Sequence, residues 1–256
     1  MEQAVTLIIL LLVIGAVGAF VSGLVGIGGA IIIFPMLLFI PPLFGIETIT
    51  PHLASGLTAA QVFFSTLSGS ISQHHNPAVN RRLIIPMGSG ILVGSLAGAY
   101  SASLFDASII NIVYTGLAIL AVMLMFVKVR PEHTKEHFNP VLLFITAVMI
   151  GVLSGIVGAG GAFIIVPVLL ALFKAPFRSV VASSIFIAFI SSIGTFIMKS
   201  VTGDVDFMLM IPLVVTSLIM APIGTKVSKA TNQSVLRYIL AALIAAAAVK
   251  MLLEIM

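Results

Sequence analysis

From Val141 to Phe173 the chain carries no charged residue. Comparable runs, nearly or wholly uncharged, cover Ser55–Gln73, Leu83–Phe105, Ile109–Val127, Val180–Met198, Met208–Thr225 and Val235–Val249. Apolar runs of about 18 residues or more cross a hydrocarbon core of about 30 Å as helices. Barrel strands would instead be about 10 residues long and would alternate in polarity. With 60% hydrophobic and 8% charged residues, no stretch remains for a water-facing domain. The expected class is an all-α polytopic membrane protein.

The first run, Ala4–Val21, resembles a secretory leader in hydropathy. It lacks a basic start, carries Glu2 and belongs to an internal repeat, so it reads as a retained helix. Zero cysteines exclude disulfides, thiolate metal sites and cysteine nucleophiles. The net charge of +4 resides at segment ends and loops, where basic residues report orientation rather than a nucleic-acid partner.

The chain is a duplication. SGLVGIGGAIIIFPMLL (Ser22–Leu38) lies over SGIVGAGGAFIIVPVLL (Ser154–Leu170) with 12 of 17 residues identical and no gap. Further along, NPAVNRRLIIPM (Asn76–Met87) lies over TGDVDFMLMIPL (Thr202–Leu213), matching Val79 with Val205, Ile85 with Ile211 and Pro86 with Pro212. The whole is expected to be one transport domain over 1–256. Repeat one covers 4–127, a polar cytoplasmic linker 128–139, and repeat two 140–254.

Each half holds five apolar segments, near 4–24, 30–44, 51–73, 83–104 and 107–128, then 140–157, 161–173, 178–199, 207–227 and 232–253. If the first pair of each half forms a hairpin or a re-entrant pair, ten of the twelve Lys and Arg residues fall on one side, leaving Lys199 and Lys250 opposite. If the pair is one broken crossing, they divide seven against five, a poor fit to the positive-inside rule. The expected arrangement is therefore two inverted-topology repeats, both termini outside, in the cytoplasmic (inner) membrane.

The glycines of the repeated block break a helix where lipid offers no hydrogen bonds. Such backbone persists at membrane depth only when buried in protein or lining a wet cavity. Gly26, Gly28 and Gly29, with Gly158, Gly160 and Gly161, permit backbone angles closed to other residues and let a ligand approach the amides. The segments that follow, from Ala30 and Ala162, begin with free amide hydrogens at the positive end of a helix dipole, which favours an anion. Pro35 and Pro167 free the carbonyls of Ile31 and Phe163 four residues back. Two such tips related by inverted symmetry would meet near the midplane, as in transporters built on broken helices. The bland reading of each glycine is close helix packing. A nucleotide loop is excluded by the absence of a preceding strand and of GK[ST].

SGLVGIGGA and SGIVGAGGA, each followed by an apolar run with proline and then by a helix opening near Ala54–Gly56 or Ala182–Ser184, resemble the sulfite exporter TauE/SafE family of membrane permeases. The resemblance covers nearly the whole chain. It implies transport of small sulfur-containing anions such as sulfite, sulfoacetate or related organosulfonates, in a mainly prokaryotic family. The expected substrate-binding residues are Ser22, Gly23, Gly26, Gly28, Gly29, Ser55, Gln61, Ser154, Gly155, Gly158, Gly160, Gly161 and Ser183. Ser55, Thr58 and Gln61 share a helical face at spacings of three, where each hydroxyl has the alternative of bonding its own helix carbonyl.

No catalytic residue, metal or cofactor is expected, because no intramembrane His/Asp/Glu constellation is visible. His133 and His137 lie four apart in a charged linker without a third ligand, and read as solvated surface. Asn111, Tyr114 and Thr115 read as packing residues. Asp106, Asp204, Asp206, Glu47 and Glu254 fall at segment ends, so a coupling proton has no evident intramembrane carrier. The expected partners are a small anion, the lipid bilayer and, optionally, further copies of the chain. The competing functions are a passive anion channel and a carrier for a small carboxylate.

Overall fold

The computed structural model describes residues 2–26, 28–126 and 138–255. The pair His133 and His137, with most of the linker, lies outside the described residues. Within them are ten helices: α1 (Glu2–Val25), α2 (Ala30–Leu43), α3 (Pro51–Gln73), α4 (Arg81–Ala102), α5 (Ala107–Phe126), α6 (Pro140–Val157), α7 (Ala162–Ala171), α8 (Phe177–Val201), α9 (Phe207–Ala230) and α10 (Gln233–Ile255). Seven of them, all but α2, α3 and α7, are long and apolar enough to cross a membrane.

Local chemistry sets the helix starts. Thr50 caps α3 by accepting the Leu53 amide, with Pro51 preset in the first turn. Asn139 and Pro140 do the same for α6, and the carboxylate of Asp206 accepts the Met208 and Leu209 amides at the start of α9. Asn80 caps α4.

Helix α3 is long enough to cross at 23 residues, about 34 Å at 1.5 Å per residue, but it is too polar to face lipid. It buries Ser55, Thr58, Gln61, Ser65, Thr66, Ser70 and Gln73. Its packing partner α8 runs antiparallel to it: Phe63 stacks on Phe196, Thr66 meets Ser192, and Gly69 abuts Ile185. This pair forms the polar centre. The outer helices carry the lipid belt, with Ile8, Ile9 and Val13 of α1, Val141, Leu142 and Met149 of α6, and Met208, Ile211 and Val215 of α9 exposed.

Around the central pair the halves exchange partners. α1 lies along α9, Gly15 beside Leu213 and Gly23 beside Ala221 and Thr225, so the two run in the same direction. α6 lies along α4 likewise, Phe144 beside Gly90 and Val152 beside Gly98. These contacts bring backbone against backbone: a Cβ on Gly23 would overlap the Ala221 carbonyl, and one on Gly155 would crowd that of Ser95. α1 and α3 also run in the same direction, with Gly18 beside Gln61 and Ser22 beside Ser65. α5 and α10 pack on each other and cover α7 and α2 respectively.

The helix starts refine the repeat register. Ala30 and Ala162 are 132 apart, but Pro51/Phe177, Arg81/Phe207 and Ala107/Gln233 are each 126 apart. The six residues are lost in α7, four shorter than α2, and in the turn 172–176, two shorter than 44–50. Ser55 therefore corresponds to Val181, and Ser183 to Leu57, rather than Ala54–Gly56 to Ala182–Ser184. Packing agrees: Gly26 sits on the carbonyl of Val181 as Gly158 sits on that of Ser55.

Candidate functional site

The two glycine tips have the same backbone. Gly26, Gly28 and Gly29, and likewise Gly158, Gly160 and Gly161, all have positive φ between 57° and 80°. A side chain there would be strained. Gly29 and Gly161 are the N-cap residues of α2 and α7, in left-handed conformation, and neither supplies a side-chain cap. The ladder of α2 opens with the Ile32 and Ile33 amides, both bonded to the Gly29 carbonyl, so the Ala30 and Ile31 amides lie ahead of it. In α7 the Ile164 and Ile165 amides bond Gly161 in the same way.

Gly26 of tip one docks on α8 and Gly158 of tip two on α3, in each case the central helix of the other half, while Gly160 lies against Ser192 of its own half. Between the two central helices the Thr66 and Ser192 hydroxyls lie 3.4 Å apart, and the helices that follow the tips, α2 and α7, also touch. Thr66 and Ser192 differ by 126, the same offset as the starts of α3 and α8, so each touches its own counterpart.

The polar surroundings of the tips differ. At tip one the Ser184 hydroxyl donates to the Gly26 carbonyl at 2.8 Å, and Ser22 and Ser65 bond each other at 3.1 Å. At tip two the counterparts of Ser184 and Ser65 are unpartnered, while Ser154, the counterpart of Ser22, bonds its own helix. Thr58, the counterpart of Ser184, and Ser191, the counterpart of Ser65, have buried hydroxyls with no hydrogen bond among the described residues, as does Ser55. The Ser191 oxygen lies 3.6 Å from where a Cβ on Gly160 would be, beside the Ser192 backbone. Gln61 is fully buried with both amide atoms unpartnered, next to Gly18, whose carbonyl carries Gly29. A buried polar atom without a partner is rare in a folded protein and marks a place where a ligand or water completes the set.

Not every sequence-predicted residue joins this cluster. Gly23 and Gly155 are helix-packing glycines on α9 and α4. Ser154 does lie at tip two, its hydroxyl 3.1 Å from where a Cβ on Gly161 would be, and donates to its own helix carbonyl, Ile150, at 2.6 Å. Ser183 accepts the Asn80 amide at 2.9 Å and pins the turn before α4. Sequence reasoning missed Ser65, Thr66, Ser191 and Ser192; the signal was there, because Ser65/Ser191 and Thr66/Ser192 coincide at offset 126. Tyr114, read as packing, stacks on Phe34 and donates its hydroxyl to the Ile31 carbonyl, the one that Pro35 frees.

At the two ends of the α3–α8 pair the chemistry diverges again. Lys199, fully buried, donates to Asp204 at 2.9 Å; Thr202 bonds the same carboxylate oxygen at 3.1 Å, and His52 lies 3.8 Å from the other. The Asp204 carbonyl rests on Gly56, next to Ser55 and so beside tip two.

The sulfite exporter TauE/SafE family matches residues 10–251. The chain belongs to this family. It is similar to "Probable membrane transporter protein YunE" of Bacillus subtilis, 29% identical over 230 residues, covering 80% of this chain and 83% of that protein. It is also similar to YdhB of the same organism, 26% identical over 85% of this chain and 89% of the relative, again named as a probable membrane transporter protein. A relative of that kind from Methanocaldococcus jannaschii, MJ0441, is 28% identical over 72% of this chain and 69% of its own length. No solved structure matches the chain. Family and fold together make this TauE/SafE member a multi-pass membrane transport protein.

Proposed function

We propose that this protein is a secondary transporter of small sulfur-containing anions, sulfite, sulfoacetate or a related organosulfonate. It moves them across the cytoplasmic membrane by alternating access around the paired glycine tips. The observation that carries the reading is the combination at each tip of an uncapped helix start with buried, unpartnered polar side chains next to it, Ser55, Thr58, Gln61 and Ser191. Amides and hydroxyls at the positive end of a helix dipole hold an oxyanion without a buried cation.

The halves are read as inverted repeats, each opening on a re-entrant pair. In support, α2 and α7, about 21 and 15 Å long, are too short to cross alone. The counterpart helices α3 and α8 run antiparallel, and α1 and α3 run in the same direction. The positive-inside rule then puts the α3–α4 turn and the α5–α6 linker in the cytoplasm and both termini outside. Rocking of one set of helices against the other around the Thr66–Ser192 contact would expose the tips to the two sides in turn.

The test is flux in proteoliposomes loaded with labelled sulfite. A carrier shows saturable efflux, accelerated by unlabelled sulfite or sulfoacetate on the opposite side. Non-saturating flux without counterflow would identify a channel, and movement of lactate but not of any sulfur anion would replace the substrate class.

A further inference from the structure

Two adjoining cavities open at the end of the molecule where α3 finishes and α8 begins. One, of about 170 Å³, is bordered by Lys174, Phe177, Gln233, Ser234 and Arg237. The other, of about 100 Å³, is bordered by Gln73, Asn76, Arg178, Val181 and Lys229. They share Phe177 and Gln233. Four cations thus line one basin, and among the described residues none of them is in an ion pair; Lys229 donates to the Ser72 carbonyl at 3.0 Å.

Three further features point the same way. The first turn of α8 opens here, and its N-cap, Pro176, offers no side-chain acceptor, so the amides ahead of Val180 are left for another partner. Lys174 is the one non-glycine residue with positive φ among the described residues, at 52°, a strained conformation at a residue that lines the cavity. The counterpart positions at the opposite end are chemically cancelled: Arg178 corresponds to His52, Gln73 to Lys199 and Ala78 to Asp204, and there the cation is neutralised by the carboxylate. Orientation in the membrane requires only a count of basic residues in loops. It does not require them to face a shared concavity whose wall, Val181, carries Gly26 on its carbonyl.

We propose that this basin is a second, antechamber anion site, which binds a small oxyanion through Lys174, Arg178, Lys229, Arg237 and the start of α8 before it reaches tip one. As the cytoplasmic entry of an exporter it rests on the transport reading and orientation above; as an oxyanion site it does not. Its ligand is a free oxyanion or the phosphate of an anionic lipid, which present the same chemistry to guanidinium and ammonium groups.

The test uses the purified full chain in lipid-free detergent, titrated calorimetrically with sulfite, beside Lys174→Gln/Arg237→Gln, Lys174→Arg/Arg237→Lys and Ser191→Ala/Gln61→Leu. A parallel arm measures phosphatidylglycerol retained per chain by native mass spectrometry. Expected are two sulfite sites in the wild type and in the charge-conserving variant. Lys174→Gln/Arg237→Gln should lose one site, or have it weakened at least tenfold, and Ser191→Ala/Gln61→Leu should lose the other. If sulfite binds nowhere but Lys174→Gln/Arg237→Gln sheds a phosphatidylglycerol that the wild type keeps, the basin is a headgroup site and the sulfur-anion reading fails by itself. Unchanged sulfite stoichiometry together with unchanged lipid retention in Lys174→Gln/Arg237→Gln overturns the proposal.

Discussion

Tip one and tip two share glycines, backbone angles and a docking carbonyl on the opposite half, yet the hydroxyls beside Gly26 are bonded and those beside Gly158 and Gly160 are not. Ser184 and the Ser22–Ser65 pair close the hydrogen bonding around Gly26. Thr58, Ser55 and Ser191 leave it open around Gly158 and Gly160. The difference separates what the glycine block is for from what its neighbours are for. The block makes a turn and a helix start in both halves; the neighbours decide whether that start is free to hold something.

The comparison can be broken most severely at its outer edge. Asp204→Asn leaves Lys199 buried without a counter-charge, so the melting temperature in detergent should drop steeply, by the equivalent of about 3–5 kcal/mol. Replacing both partners, Lys199→Met with Asp204→Leu, should recover most of it, and failure to recover would mean that the pair does more than neutralise itself.

Next in size are Gly26→Ala and Gly158→Ala. Each adds a Cβ against a carbonyl and strains a left-handed backbone, for about 2–5 kcal/mol together. The two should lose stability and flux alike, because the backbones are alike. A large difference between them would show that the tips are not equivalent scaffolds.

Tyr114→Phe is smaller and one-sided. It leaves the Ile31 carbonyl without its donor, at about 1–3 kcal/mol by thermal unfolding. The corresponding Leu240 has no hydroxyl, so its conservative replacement by Met should change stability by less than about 1.5 kcal/mol.

The smallest stability effects sharpen the comparison best. Ser65→Ala should cost about 1 kcal/mol through loss of the Ser22 bond. Ser191→Ala removes an unpartnered hydroxyl, so the apo-protein should melt no lower than the wild type, while stabilisation by sulfite falls several-fold. Equal anion stabilisation in both variants would remove Ser191 from the site.

Much of the fold was legible because bilayer physics leaves few alternatives. Ten apolar segments read from the sequence fall within a few residues of ten helices, with Ala30 and Ala162 as the first residues after the breaks. Helix α3 was legible in extent but not in character: its run counted among the apolar spans, although Ser55, Thr58 and Gln61 at spacings of three already marked a polar face. Register within the second half was harder. An Ala–Ser pair at 54 and another at 182 align by eye at 128, while the true offset is set by residues lost in α7 and its turn, where nothing in composition marks a deletion. The destinations of individual serines were not readable at all. Ser154, Ser183 and Ser191 are alike in sequence; one bonds its own helix, one pins a distant turn and one is free, because those outcomes depend on which neighbour the tertiary packing supplies.

The Thr66–Ser192 contact carries one further consequence. If the halves traded conformations, every contact that is present in one half and missing in the other would change hands: the Ser184 bond to Gly26 would be given up, and Thr58 could make the matching bond to Gly158. A residue that touches its own counterpart has nothing to trade. The pair would stay fixed through the cycle as a fulcrum, and the static picture would hold both ends of the stroke, one written in each half.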